Sequence, residues 1–215
     1  MHKHRTLPKA NAFRNKVLVN YHKWDFLIFT LPTILSVLNG QTTVFYLIYF
    51  FWWNELLCLL IDKLFYKKNP GVILSNPNNT GVFQSFIQMG VYFVFIVVFF
   101  GFMANWNNTV LLMINMNILF FQNLFFNINL IFVAAERIFL HHTQMPLKVS
   151  FGSFTPNMIV LHISIILGAV LMFFVVRNFP DTFTPTNLWG SVIIVLPFLL
   201  IKLLLAYLYQ PIKNS

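Results

Sequence analysis

Residues 44–68, VFYLIYFFWWNELLCLLIDKLFYKK, constrain this chain more than any other stretch. Up to Ile61 the run is apolar apart from Asn54 and Glu55, and Lys63, Lys67 and Lys68 close it. About 20 residues at 1.5 Å rise each cross the ~30 Å hydrocarbon core of a bilayer. A helix over 44–66 therefore spans the membrane, with Glu55 at its midpoint. An acid at that depth costs on the order of 3 kcal/mol on insertion scales, and lipid offers it no partner. Glu55 is expected to face the interior of a helical bundle, with the rest of the chain arranged around it.

Composition agrees with a bilayer-solvated protein. The chain is 58% apolar and 9% charged, with 27 Phe, whereas soluble domains carry roughly 25% charged residues. The single cysteine, Cys58, lies inside the apolar run, which leaves no disulfide framework and no thiolate metal pattern. The N-terminus is basic, but no small-residue cleavage site follows an apolar core, so no removable signal peptide is expected. There is no Gly-rich phosphate loop, low-complexity tract or internal repeat.

Five other segments read as spans. The first, 26–38, is short for a bilayer, so its helix should start near Tyr21, with Lys23, Trp24 and Asp25 at the interface and a kink at Pro32. After 44–66, two Pro, two Gly and four Asn make 67–82 a loop. The remaining spans are 83–104, 109–135, 158–176 and 187–208, the last interrupted by Pro197. The expected fold is thus an all-α integral membrane bundle of six transmembrane helices. It divides into a basic tail (1–20), the membrane domain (21–209) and a short second tail (210–215).

Six spans put both termini on one side. That side collects Lys3, Arg5, Lys9, Arg14, Lys16, Lys23, Lys63, Lys67, Lys68, Arg137, Lys148, Lys202 and Lys213, and the other only Arg177. The asymmetry predicts both termini in the cytoplasm and a location in the cytoplasmic (inner) membrane. It also accounts for the net charge of +9 without nucleic acid as a partner; the bilayer is the partner expected.

Polar residues inside the spans form the candidate site. Asn115, Gln122, Asn129 and Glu136 recur every seven residues, which on one continuous helix places them on a single face. Asn123 and Asn127 make an adjacent strip. By residue count Glu55, Gln122 and Asn123 lie near mid-depth, and Gln88, Glu136, His162 and Lys202 in the cytoplasmic half or at its boundary. Together with Asn54 these define a polar seam running from Glu55 to the cytoplasmic surface. Each has a plain alternative. The amides can serve only to hydrogen-bond helices together, and Glu55 can be a protonated acid bonded to Gln122 or Asn123. His162 can be a core histidine on a carbonyl, Lys202 can snorkel to the interface, and Glu136 with Arg137 can be a helix-end pair.

Sharper chemistries find little support. One clear intramembrane histidine is too few for a two-histidine haem, and no H-E-x-x-H pair offers a zinc site. Arg137 and His142 have the R-x4-H spacing of HEPN-type ribonucleases, a match that any chain with several histidines gives. The neighbouring His141 adds no pattern. No cofactor or metal is expected.

With these residues located, the chain resembles a family of uncharacterised prokaryotic integral membrane proteins, a domain of unknown function. That family carries Tyr-Trp-x-Glu-Asn on its second helix. The similar residues here are Trp52-Trp53-Asn54-Glu55, with Leu56 in place of the last Asn. A later family helix begins Ile-Val-x-x-His-hydrophobic-Thr-Ile-Ile-x-Gly. It is similar to Ile159-Val160-Leu161-His162-Ile163-Ser164-Ile165-Ile166-Leu167-Gly168. Asn129 and Glu136 resemble an Asn followed by Gly-Glu, whereas Gln88 and Ile96 stand where the family has paired histidines. The resemblance implies a six-helix membrane domain and no particular activity.

The residues support small-molecule or proton-linked binding or transport through a polar site around Glu55, with His162 as relay partner. The alternatives are an accessory or scaffold subunit, paired with other membrane proteins or a second copy, and an intramembrane enzyme using Glu55 and His162 on lipid-like substrates. The topology is directly testable. Alkaline phosphatase fused within 178–186 should be active and the same reporter fused after Ser215 inactive, whereas the opposite pattern would invert the orientation.

Overall fold

The computed structural model describes residues 30–31, 33–35, 43–65, 80–141, 156–179, 181–184 and 187–208. The two tails, Pro32, His142, most of the expected first span and most of the loop after Lys67 lie outside these. Among the described residues every regular element is helical. Helix α1 is Val44–Phe65. Helix α2, Thr80–Phe95, continues as a π-helical segment, Ile96–Phe102. Helices α3 (Thr109–Leu119) and α4 (Leu124–His141) follow. Then come α5 (Pro156–Val170) with a second π-helical segment, Leu171–Val176, and α6, Leu188–Leu208. Four stretches are long and apolar enough to cross a membrane: Val44–Ile61, Phe83–Asn105, Thr109–Ala135 and Met158–Val176. Thr30, Leu31 and residues 33–35 are also helical.

The spans are not equivalent. Of Val44–Ile61, 72% is buried inside the protein, against 28%, 28% and 33% of the other three. Helix α1 is therefore the post, and the others present their outer sides to lipid. Hydrophobicity cannot hold helices together where the solvent is hydrocarbon; close packing and hydrogen bonds must.

On α1 the packing is largely aromatic. Tyr49 stacks on Phe126 of α4 at 5.4 Å and on Trp52 at 5.9 Å, and meets Phe93 of α2 at 6.4 Å. Trp52 donates its indole N–H to the Met89 carbonyl, 2.7 Å, while Phe45 lies beside Gly101. As α1 advances, its partners on α2 go backwards, so the two run antiparallel.

Helix α5 also opposes α1, because Gly168 sits against Ile48 and Val44 while His162, earlier in the chain, reaches Tyr92. Helix α6 begins where α5 ends, with Gly190 against the Thr182 carbonyl. It then rises parallel to α1 until Phe198 meets Phe51 at 6.2 Å. Asn187 caps its start, accepting from Trp189 N at 3.1 Å.

The fourth span departs from the continuous helix expected over 109–135. Helix α3 ends in a Schellman motif: Phe121 N donates to Ile118 O (3.1 Å), Gln122 N donates to Asn117 O (2.7 Å), and Phe121 takes the left-handed conformation at φ 58. Asn123 then caps α4, its Oδ1 accepting from Phe126 N at 2.9 Å. Asn127 Nδ2 donates to Phe121 O at 2.6 Å. The break thus satisfies its backbone from within, as hydrocarbon requires. Helix α4 also runs on to His141, beyond the span end expected at Ala135.

Gly168 sets the approach of α5 to α1, since a Cβ there would run into Ile48 Cδ1 and crowd Val44 and Phe100. Gly168→Ala should displace only the movable tip of Ile48. Gly168→Leu should destabilise by about 1–3 kcal/mol. Gly90→Ala, where a Cβ meets nothing within 4 Å, should be neutral or stabilising by up to about 1 kcal/mol. Thermal unfolding of the three variants in one detergent checks the order.

Candidate functional site

Glu55 is 1% exposed and takes part in an interaction of its own; Asn54 beside it is buried. Helical periodicity decides what lies around the acid. Residues 48, 51 and 55 share one face of α1, and Ile48 packs on α5 and Phe51 on α6. Tyr46, Tyr49 and Trp53 form the opposite face, toward Phe126 and Phe121. Glu55 therefore looks to the α5–α6 side and away from the break in the fourth span.

Along α6, Lys202 follows Phe198 by four residues, as Glu55 follows Phe51. Because these helices run parallel and touch at Phe51 and Phe198, one turn further brings positions 55 and 202 to the same level. The side chains of Lys202 and Glu136 lie outside the described atoms.

The other candidates separate into distinct clusters. Asn129 Nδ2 donates to the Tyr46 hydroxyl at 2.5 Å, both buried. Gln122 is exposed within the break and Asn123 is the cap of α4. The seven-residue spacing of 115, 122 and 129 therefore does not form one stripe, because no continuous helix carries it. His162 is exposed on α5, with Nδ1 at 2.9 Å from the hydroxyl of Tyr92, which is buried on α2. Gln88, one turn before Tyr92 and half-buried, is hydrogen-bonded to the same phenol. Among the described residues no three of His, Cys, Asp and Glu gather in one place.

A further polar cluster was only half visible in the sequence. Asn115, wholly buried, accepts from Thr43 Oγ1 at 2.9 Å. Its Nδ2 donates to the carbonyls of Phe100 (3.3 Å) and Gly101 (3.4 Å). Asn105 Nδ2 donates to the same Phe100 oxygen at 3.0 Å. Both carbonyls belong to the first π-helical segment, whose wider turn frees groups from the i→i−4 ladder. This cluster secures a backbone distortion and has no titratable member. Tyr92 had a signal too: Gln84, Gln88 and Tyr92 are spaced by four and share a face.

Comparison with family models, with curated proteins and with solved structures finds no match for this chain. The similarity of its short motifs to the prokaryotic membrane family has no support from these comparisons.

Asn115→Leu should lower stability by about 1–2 kcal/mol, because it strips partners from a buried hydroxyl and two carbonyls. Asn107→Leu, in the exposed turn before α3, should change it by less than about 0.5 kcal/mol. Equal effects in chemical or thermal unfolding would remove the special standing of Asn115.

Proposed function

We propose that the chain is a six-span bundle of the cytoplasmic membrane with both termini in the cytoplasm. In this reading Glu55 is the working group of a small-molecule or proton-linked binding or transport unit. The observation that carries it is the burial of an ionisable side chain, 1% exposed, on the most enclosed helix. Lipid-embedded acids are costly and rare, and they mark ion or substrate paths. An amide would join helices at less cost, as Asn115 and Asn129 do in this same bundle.

A second reading, an accessory subunit of a larger membrane complex, draws on the open apolar groove of α2. Ile87, Val91, Val94 and Val98 line it around the uncovered Gly90.

A hydrophobic carbodiimide, which modifies protonated carboxyls in apolar surroundings, tests the first reading. It should label wild-type protein at Glu55 and leave Glu55→Gln unlabelled. In proteoliposomes Glu55→Gln should abolish proton uptake driven by an imposed potential while its unfolding temperature stays near wild type. Loss of folding in Glu55→Gln, or unchanged uptake, would make the acid structural or irrelevant.

A further inference from the structure

The break in the fourth span leaves two amides turned away from the protein. Gln122 is the fourteenth of the 27 residues of Thr109–Ala135. Its neighbour Phe121 meets Trp53, midway along Val44–Ile61, at 5.4 Å between ring centroids. Count and contact agree on mid-depth, with about 15 Å of hydrocarbon to either surface. Gln122 is exposed there, and so is Asn117 on α3. By contrast Asn115, Asn123 and Asn129 are buried and hydrogen-bonded. Neither Asn117 nor Gln122 makes a side-chain hydrogen bond among the described residues. A primary amide facing hydrocarbon without a partner is costly, and neither side chain is long enough to reach a headgroup.

Depth narrows what can satisfy them. A phospholipid keeps its polar atoms at the membrane surface and offers only acyl chain here. A second copy of this chain, related by a two-fold axis along the bilayer normal, brings the same amides to the same depth. A primary amide carries both a donor and an acceptor and is therefore complementary to itself. The surroundings fit such a contact. Met113, Asn117 and Phe120 follow at helical spacing on one side of α3, and Leu124 opens α4. Met113, Phe120 and Leu124 are each at least 66% exposed. No charged residue interrupts 109–135, so nothing on this face repels a second copy.

We infer that the break face of the fourth span, Met113, Asn117, Phe120, Gln122 and Leu124, is the interface of a parallel homodimer in the membrane. Gln122 of each copy donates to the side-chain carbonyl of the other across the two-fold axis. Asn117 adds a second donor and acceptor nearer the start of α3. Amides join transmembrane helices between chains as they do within one, and Phe120 and Leu124 exclude lipid around the pair. The surface lies on the side of α1 opposite Glu55, because Trp53 packs on Phe121.

Energy transfer between full-length chains labelled at the C-terminus, in phosphatidylcholine liposomes of falling protein content, measures the dimer. Wild type should associate. Gln122→Leu should raise the dissociation constant about tenfold, the loss of two hydrogen bonds in a membrane interior. Asn117→Leu/Gln122→Leu should raise it further, and Gln122→Asn, which keeps an amide on a shorter arm, should fall between wild type and Gln122→Leu. Both side chains are exposed, so unfolding temperatures in detergent should stay near wild type, which separates lost pairing from lost fold. Leu124→Cys should crosslink between chains with a short bismaleimide, whereas Leu200→Cys, 57% exposed on α6, should not. Wild type, whose Cys58 is buried, is the blank. A monomer at every dilution, whether bare or holding an isoprenoid quinone at the break, would overturn the assignment. So would wild-type association by folded Asn117→Leu/Gln122→Leu, or crosslinking of Leu200→Cys as readily as Leu124→Cys. Glu55→Gln should pair like wild type, so this interface and the proposed transport role are tested apart.

Discussion

Hydrocarbon offers neither donors nor acceptors, so each place where this backbone leaves the α-helix must be satisfied from inside the protein. Asparagine does this throughout the bundle. Asn105 and Asn115 take the carbonyls freed at the first π-helical segment. Asn123 and Asn127 close the break between α3 and α4. Asn108 and Asn187 cap the starts of α3 and α6. The short amide carries a donor and an acceptor on one rotatable bond, and it competes readily with backbone partners. Many of the polar residues in the spans are therefore structural, and this sharpens the contrast with Glu55. A carboxyl is a poor choice for the same duty.

Helix α1 can hold that acid because it touches neighbours on every side. Aromatic side chains fill one face against α4 and α2, whereas on the other Gly168 lets α5 come close. Each aromatic pair contributes about 0.5–1.5 kcal/mol beyond area burial, and in lipid such packing replaces the hydrophobic drive of a soluble core. The enclosure of α1 and the burial of Glu55 are thus two views of one arrangement.

Much of this was legible in the chain. The apolar length of 44–61 and its central acid announced a buried helix, and the ends of α5 and α6 fall within a few residues of their sequence limits. The break at Phe121 was not legible, because Phe120 and Phe121 look like ordinary span residues and a left-handed φ belongs by habit to glycine. The signal present was Gln122-Asn123 at mid-span, two side chains that favour caps over helix interiors. On a continuous helix four residues spaced by seven, Asn115, Gln122, Asn129 and Glu136, would make a stripe, and the break divides them between α3, the turn and α4. The grouping of the candidates was hidden for another reason: α1 is apolar all round, so its periodicity does not say which face meets which helix. Only contacts such as Phe51 with Phe198 and Tyr46 with Phe126 separate the side of Glu55 from the side of Asn129.

The two π-helical segments lie against each other through Phe99 and Phe173. A π turn winds in one residue more than the α turn it replaces, so straightening either segment would swing everything after it through about 100°. Phe99 sits in one coil and Phe173 in the other, so a change of winding in either would shift a ring that the other packs against.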